Sequence, residues 1–92
     1  MATIRRVVPS EEFVGALRAL ACPNTERMVA RLAELLAARP HWAPAVAGST
    51  LRLIHTGPYG EFPALRLYYR FDEGALYLVH VEVYDPLRPE VT

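Results

Sequence analysis

Apolar residues recur along this chain with two periods, and the change of period divides it into a helical first part and a strand-rich second part. Thr3 to Val8 is dominated by β-branched residues and reads as a short strand that Pro9 stops. Ser10 stands where a helix N-cap belongs, with Glu11 and Glu12 in the first turn, where the helix dipole favours anions. Phe13, Leu17 and Leu20 follow at helical spacing beside Val14, and the helix ends near Cys22-Pro23. Asn24 or Thr25 is positioned to cap a second helix. Met28, Leu32, Leu35 and Leu36, widened by Val29, form its apolar stripe, while Arg27, Arg31 and Glu34 fall on the other side. Pro40 ends it, and the tight connection at Pro23 predicts an antiparallel helical hairpin.

From Pro40 to Ser49 the prolines and a glycine predict a surface loop, pinned to the core by Trp42 and Val46. Beyond it the period shortens to two. Thr50–Thr56, Ala64–Asp72 and Ala75–Tyr84 read as strands, with a turn at Gly57-Pro58-Tyr59-Gly60 and a two-residue hairpin loop at Glu73-Gly74. Pairing Asp72 with Ala75 places Leu65, Leu67, Tyr69 and Phe71 on one face with Leu76, Leu78, His80, Glu82 and Tyr84. The other face carries Arg66, Tyr68 and Arg70 with Tyr77, Val79, Val81 and Val83. Pro86 and Pro89 make residues 85–92 an irregular tail. The whole predicts an α+β domain of order β-α-α-β-β-β, a two-helix hairpin on a mainly antiparallel four-stranded sheet. In it the N-terminal strand pairs inside the sheet rather than lying at a free edge.

Composition narrows the class. Ninety-two residues suffice for one domain, and 52% hydrophobic with 22% charged residues is a globular balance. No apolar run approaches a membrane span, and the first residues carry no signal-peptide core, so the expectation is a cytoplasmic protein. Cys22 is the single cysteine, which rules out an internal disulfide. All ten basic residues are arginine and the formal net charge is zero, so an RNA site here lacks the basic field that nucleic-acid binders usually carry. No cofactor motif is present. His80 and Glu82 share a strand face, but two ligands without a third do not make a metal site.

The segment Leu65-Arg66-Leu67-Tyr68-Tyr69-Arg70-Phe71-Asp72-Glu73-Gly74, followed by the apolar run Leu76 to Val83, resembles the third and fourth strands of the RelE/ParE-like toxins of type II toxin–antitoxin systems. The order of elements over nearly the whole chain is similar as well, and the specific match covers about twenty residues around the hairpin. The resemblance implies a bacterial toxin neutralised by an antitoxin protein. If the chain is an enzyme, the implied activity is a metal-independent endoribonuclease acting on mRNA at the ribosome. Arg66 falls on the position of the third-strand arginine that contacts the mRNA backbone, with Arg70 along the same face. Arg52 supplies the basic residue of the preceding strand, because His55 has the opposite parity, and Tyr84 stands near the family's late tyrosine or histidine. Asp85 replaces the basic residues the family carries there.

Each of these residues has a plainer reading. Arg66, Tyr68 and Arg70 could be a solvated sheet face with arginine stems over tyrosines. His55 could be a loop-edge histidine, and Cys22 a small buried residue. Val79, Val81 and Val83 with Tyr77 form a stripe on the uncovered face, which calls for a partner: an antitoxin, a second copy of the chain, or the tail itself. The alternative to a toxin is therefore a non-catalytic interaction module on the same scaffold, homodimeric or part of a larger assembly.

Overall fold

The computed structural model describes residues 5–57 and 64–84, and the turn beyond Gly57, the start of the first strand and the C-terminal tail lie outside them. The elements follow the order read from the sequence: β1 (Arg6–Pro9), α1 (Glu11–Ala19), α2 (Pro23–Ala38), β2 (Arg52–Thr56), β3 (Leu65–Phe71) and β4 (Ala75–Val83). They build an α+β fold whose four strands lie in the order β1-β4-β3-β2. The β2–β3 and β3–β4 pairs are antiparallel, and β1 runs parallel to β4. β1 is thus paired but occupies an edge, not the interior position expected. Pro9 fits an edge because it has no N–H to donate to a second neighbour. Among the described residues no helix is long and apolar enough to cross a membrane.

The helix ends show how local chemistry sets the frame. Ser10 caps α1, its Oγ accepting the Phe13 amide at 3.0 Å. Ala21 adopts φ +51°, a left-handed turn that reverses the chain between the helices. α2 then starts earlier than expected: Cys22, half-buried, is its N-cap residue in place of Asn24 or Thr25, and Pro23 fills the first turn, where a missing N–H costs nothing. Thr25 is wholly buried instead. The face of α2 that reaches the core is Val29, Ala33, Leu36 and Ala37, whereas Leu35 is 53% exposed.

Phe13 from α1 and the α2 stripe meet Leu65, Leu67, Tyr69, Leu76, Leu78 and Val81 of the sheet in one hydrophobic core. The loop after α2 is pinned differently from expectation. Trp42 and Val46 are exposed, and the anchor is Tyr69. This buried phenol donates to the Pro40 carbonyl at 2.8 Å and accepts the Ala43 amide at 3.3 Å. Burial raises the Tyr69 pKa above its ordinary value, which keeps the hydroxyl protonated and able to make both bonds.

The decisive irregularity is in β4. Phe71, Arg70 and Tyr69 face Leu76, Tyr77 and Leu78, but Tyr68 then faces His80, leaving Val79 as an extra residue. This bulge reverses the parity of everything after it. Val81 turns into the core opposite Leu67 and is 1% exposed, so the predicted apolar strip does not exist. Val79 itself is half-buried, and Val83 lies at the strand end, partly exposed, on the side of Val81. His80 and Glu82, expected beneath the helices, turn outward beside Tyr68 and Arg66. The Ser10 hydroxyl that caps α1 also donates to the Val79 carbonyl at 3.1 Å, and the Ser10 amide donates to Leu78. Ser10→Ala removes the cap and the bulge tie together, and we expect it to cost about 1–2 kcal/mol in denaturant unfolding.

At the hairpin, Asp72 closes the turn with its carboxylate. Oδ1 accepts the amides of Gly74 and Ala75 at 2.9 and 2.8 Å, and Oδ2 accepts the Tyr77 hydroxyl at 2.9 Å. The Gly74 amide foremost, then the Tyr77 hydroxyl and the Ala75 amide, hold the Asp72 carboxyl below its ordinary 3.8. A carboxyl depressed in the folded state stabilises it above the unfolded pKa and loses that contribution as pH falls through the folded one. Wild type should therefore lose stability relative to Asp72→Asn as pH drops below about 4, followed by chemical denaturation across an acid series.

Candidate functional site

With the bulge in place, the sheet face turned away from the core gathers its polar residues in two cross-strand rows. One row is His55 on β2, Arg66 on β3 and Glu82 on β4; the next is Leu53, Tyr68 and His80. Tyr84, just beyond β4, closes the cluster. The Arg66 guanidinium lies 4.7 Å from its ring centroid, and the His55 ring meets it edge-on at 5.4 Å.

Glu82 is the hub. Its Oε1 accepts Arg66 Nη1 at 3.3 Å and the Tyr68 hydroxyl at 3.2 Å, while Oε2 stands 3.7 Å from His80 Nε2. The His80 ring also lies against Tyr68, with centroids 5.9 Å apart. On its far side, Nδ1 is buried and makes no hydrogen bond to a described residue; Glu12 Oε1, from the first turn of α1, is 3.7 Å away. The two carboxylates approach opposite nitrogens of one ring, so they do not converge on a point where a metal could sit.

The residues singled out in the sequence divide accordingly. Arg66, Tyr68 and Tyr84 come together. Arg70 shares their face near the hairpin, its guanidinium 4.8 Å from the Tyr77 ring, and Tyr77 in turn donates to Asp72. Asp72 foremost raises the Tyr77 pKa, by hydrogen bond and by charge. Arg52 does not join them. It pairs with Tyr69, points to the core side, donates to the Ala43 carbonyl and stacks 5.3 Å from the Phe71 ring, which Arg5 also covers at 5.2 Å. The β2 residue that stands beside Arg66 is His55, contrary to the parity assigned from the sequence.

Strict alternation carried through Val79 puts His80 and Glu82 together on the covered face; the bulge puts them together on the outer one. A signal was present: Leu78-Val79 is an apolar pair, after which His80, Glu82 and Tyr84 alternate with Val81 and Val83 in the opposite phase. His55 was misplaced because register against β3 depends on where the connecting turn ends, which spacing alone does not fix.

Chemically, the face offers a cation at Arg66, two imidazoles flanking β3, and aromatic rings at Tyr68 and Tyr84. β2 and β4 lie on either side of β3, so the imidazoles stand on the order of 10 Å apart. That set can hold an anion, stack an aromatic ring and move protons. The two arginines should separate cleanly. Arg52→Ala is expected to destabilise the fold by about 1–3 kcal/mol, and Arg66→Ala by about 1 kcal/mol or less, in parallel thermal and denaturant unfolding. No protein-family model matches the chain, and no curated protein matches it either.

Proposed function

We propose that this protein is the toxin, or a toxin-like component, of a bacterial toxin–antitoxin module, acting in the cytoplasm and neutralised by a partner protein. In this reading the outer sheet face binds RNA, on or off the ribosome, and cleaves it without a metal. The observation that carries it is the grouping of His55, Arg66, Tyr68, His80 and Tyr84 on the face turned away from the core. Cleavage by the neighbouring 2′-hydroxyl needs a proton acceptor, a cation for the phosphorane and a proton donor. Arginine remains protonated and cannot be the acceptor. The two imidazoles supply the missing roles. One takes the 2′-hydroxyl proton as the 2′-oxygen bonds to phosphorus; the other protonates the departing 5′-oxygen. The products are a 2′,3′-cyclic phosphate and a 5′-hydroxyl. Arg66 holds the phosphate, Arg70 extends the cationic side toward the hairpin, and Tyr68 and Tyr84 offer rings for bases. Arg52 has a structural part only.

A second reading, the non-catalytic interaction module, draws on a different feature. An apolar groove of about 390 Å³ runs between α2 and β2, lined by Met28, Leu32, Leu35, Trp42 and Ile54. Trp42 is 61% and Leu35 53% exposed there, a place for a partner chain. Induced expression in a heterologous bacterium separates the readings. Growth arrest by wild type, relieved by Arg66→Ala at equal soluble yield, is the outcome expected of the toxin. Normal growth with both proteins, and no cleavage of RNA by purified wild type with or without ribosomes, turns the assignment to the interaction module.

A further inference from the structure

We infer that Glu82 is a displaceable internal counter-anion: it holds the place at Arg66 and Tyr68 that the phosphate of a ligand takes. The inference rests on the reading of this face as an RNA site and adds the manner in which the site admits its ligand.

The Glu82 contacts are those of a held but exchangeable group. Arg66 Nη1 and the Tyr68 hydroxyl both converge on Oε1, at 3.3 and 3.2 Å, whereas charge-assisted bonds close to about 2.7–2.9 Å when geometry is good. One oxygen serving both partners at these lengths is weaker than the two-pronged grip that a phosphate's oxygens can give a guanidinium. The Glu82 side chain is 37% exposed, so leaving Arg66 carries it into water, not into the core. Arg66 has a support that stays when Glu82 leaves, because its guanidinium lies 4.7 Å from the Tyr84 ring.

Charge points the same way. Arg66 on this face is offset by Glu82, and the chain carries no net charge. A weak anion gains little by competing with a carboxylate already in place. A phosphodiester or phosphate, with several oxygens on one centre, gains most from the exchange. Glu82 thus selects for phosphate, in the way a specific site is built as much against wrong ligands as toward the right one.

Binding of inorganic phosphate, followed by 1H–15N NMR at fixed ionic strength, tests this directly. The same measurement is repeated with a short RNA carrying 2′-deoxy sugars, which cannot be cleaved. Glu82→Gln should bind phosphate about fivefold more tightly than wild type. Glu34→Gln, the same charge change on α2, should bind as wild type does. On an Arg66→Ala background the Glu82→Gln gain should vanish. The inference is overturned if Glu82→Gln binds phosphate no better than wild type, or if the gain persists without Arg66 or appears equally with Glu34→Gln. If phosphate follows the expected order but no variant binds RNA, the counter-anion role stands and the RNA reading falls.

Discussion

The fold and its outer face both depend on one extra residue in β4 and the serine that holds it. Ser10 uses a single hydroxyl twice, accepting the Phe13 amide to start α1 and donating to the carbonyl of Val79 to secure the bulge. Without the extra residue, the side chains after Val79 would exchange faces. His80 and Glu82 would be driven under the helices and Val81 into solvent, which the core could not bear. The bulge therefore satisfies two demands at once: a core that needs Val81 opposite Leu67, and a polar face that needs His80 opposite Tyr68.

The other end of the sheet is governed by buried polar groups that tie loop to strand. Tyr69 reaches through the core to Pro40 and Ala43, and Arg52 takes the Ala43 carbonyl from the same side. These bonds fix the loop after α2 with backbone partners, and Trp42 is left exposed along the groove beside β2. An arginine that looks like half of a basic patch is in this way committed to structure. The neighbouring histidine, His55, takes its place beside Arg66.

On the outer face Arg66 is paired with Glu82, and Arg70 lies over Tyr77, whose hydroxyl donates to Asp72. The chain is arginine-only and has no net charge, so net charge gives it no long-range pull on a polyanion; the binding proposed for this face rests on local contacts around Glu82 and on the aromatic rings that accompany both arginines.

Much was legible in the sequence because it is set by neighbours in the chain. The order of elements follows from the periods of apolar residues, the start of α1 from Ser10, and the hairpin from Asp72 and Gly74. The cluster itself was only half legible: Arg66 and Tyr68 sit together on any strand, but their companions depend on contacts between distant segments. Which face His80 and Glu82 take is decided by the extra residue at Val79, which puts Val81 in the core opposite Leu67 and is held by Ser10, 69 residues away. Which of Arg52 and His55 meets Arg66 was decided by strand register, and the place of β1 at the edge by its parallel pairing with β4. Local propensity chooses between helix and strand; only tertiary packing, which must bury one face and pair most buried polar groups, chooses which side of a strand is inside.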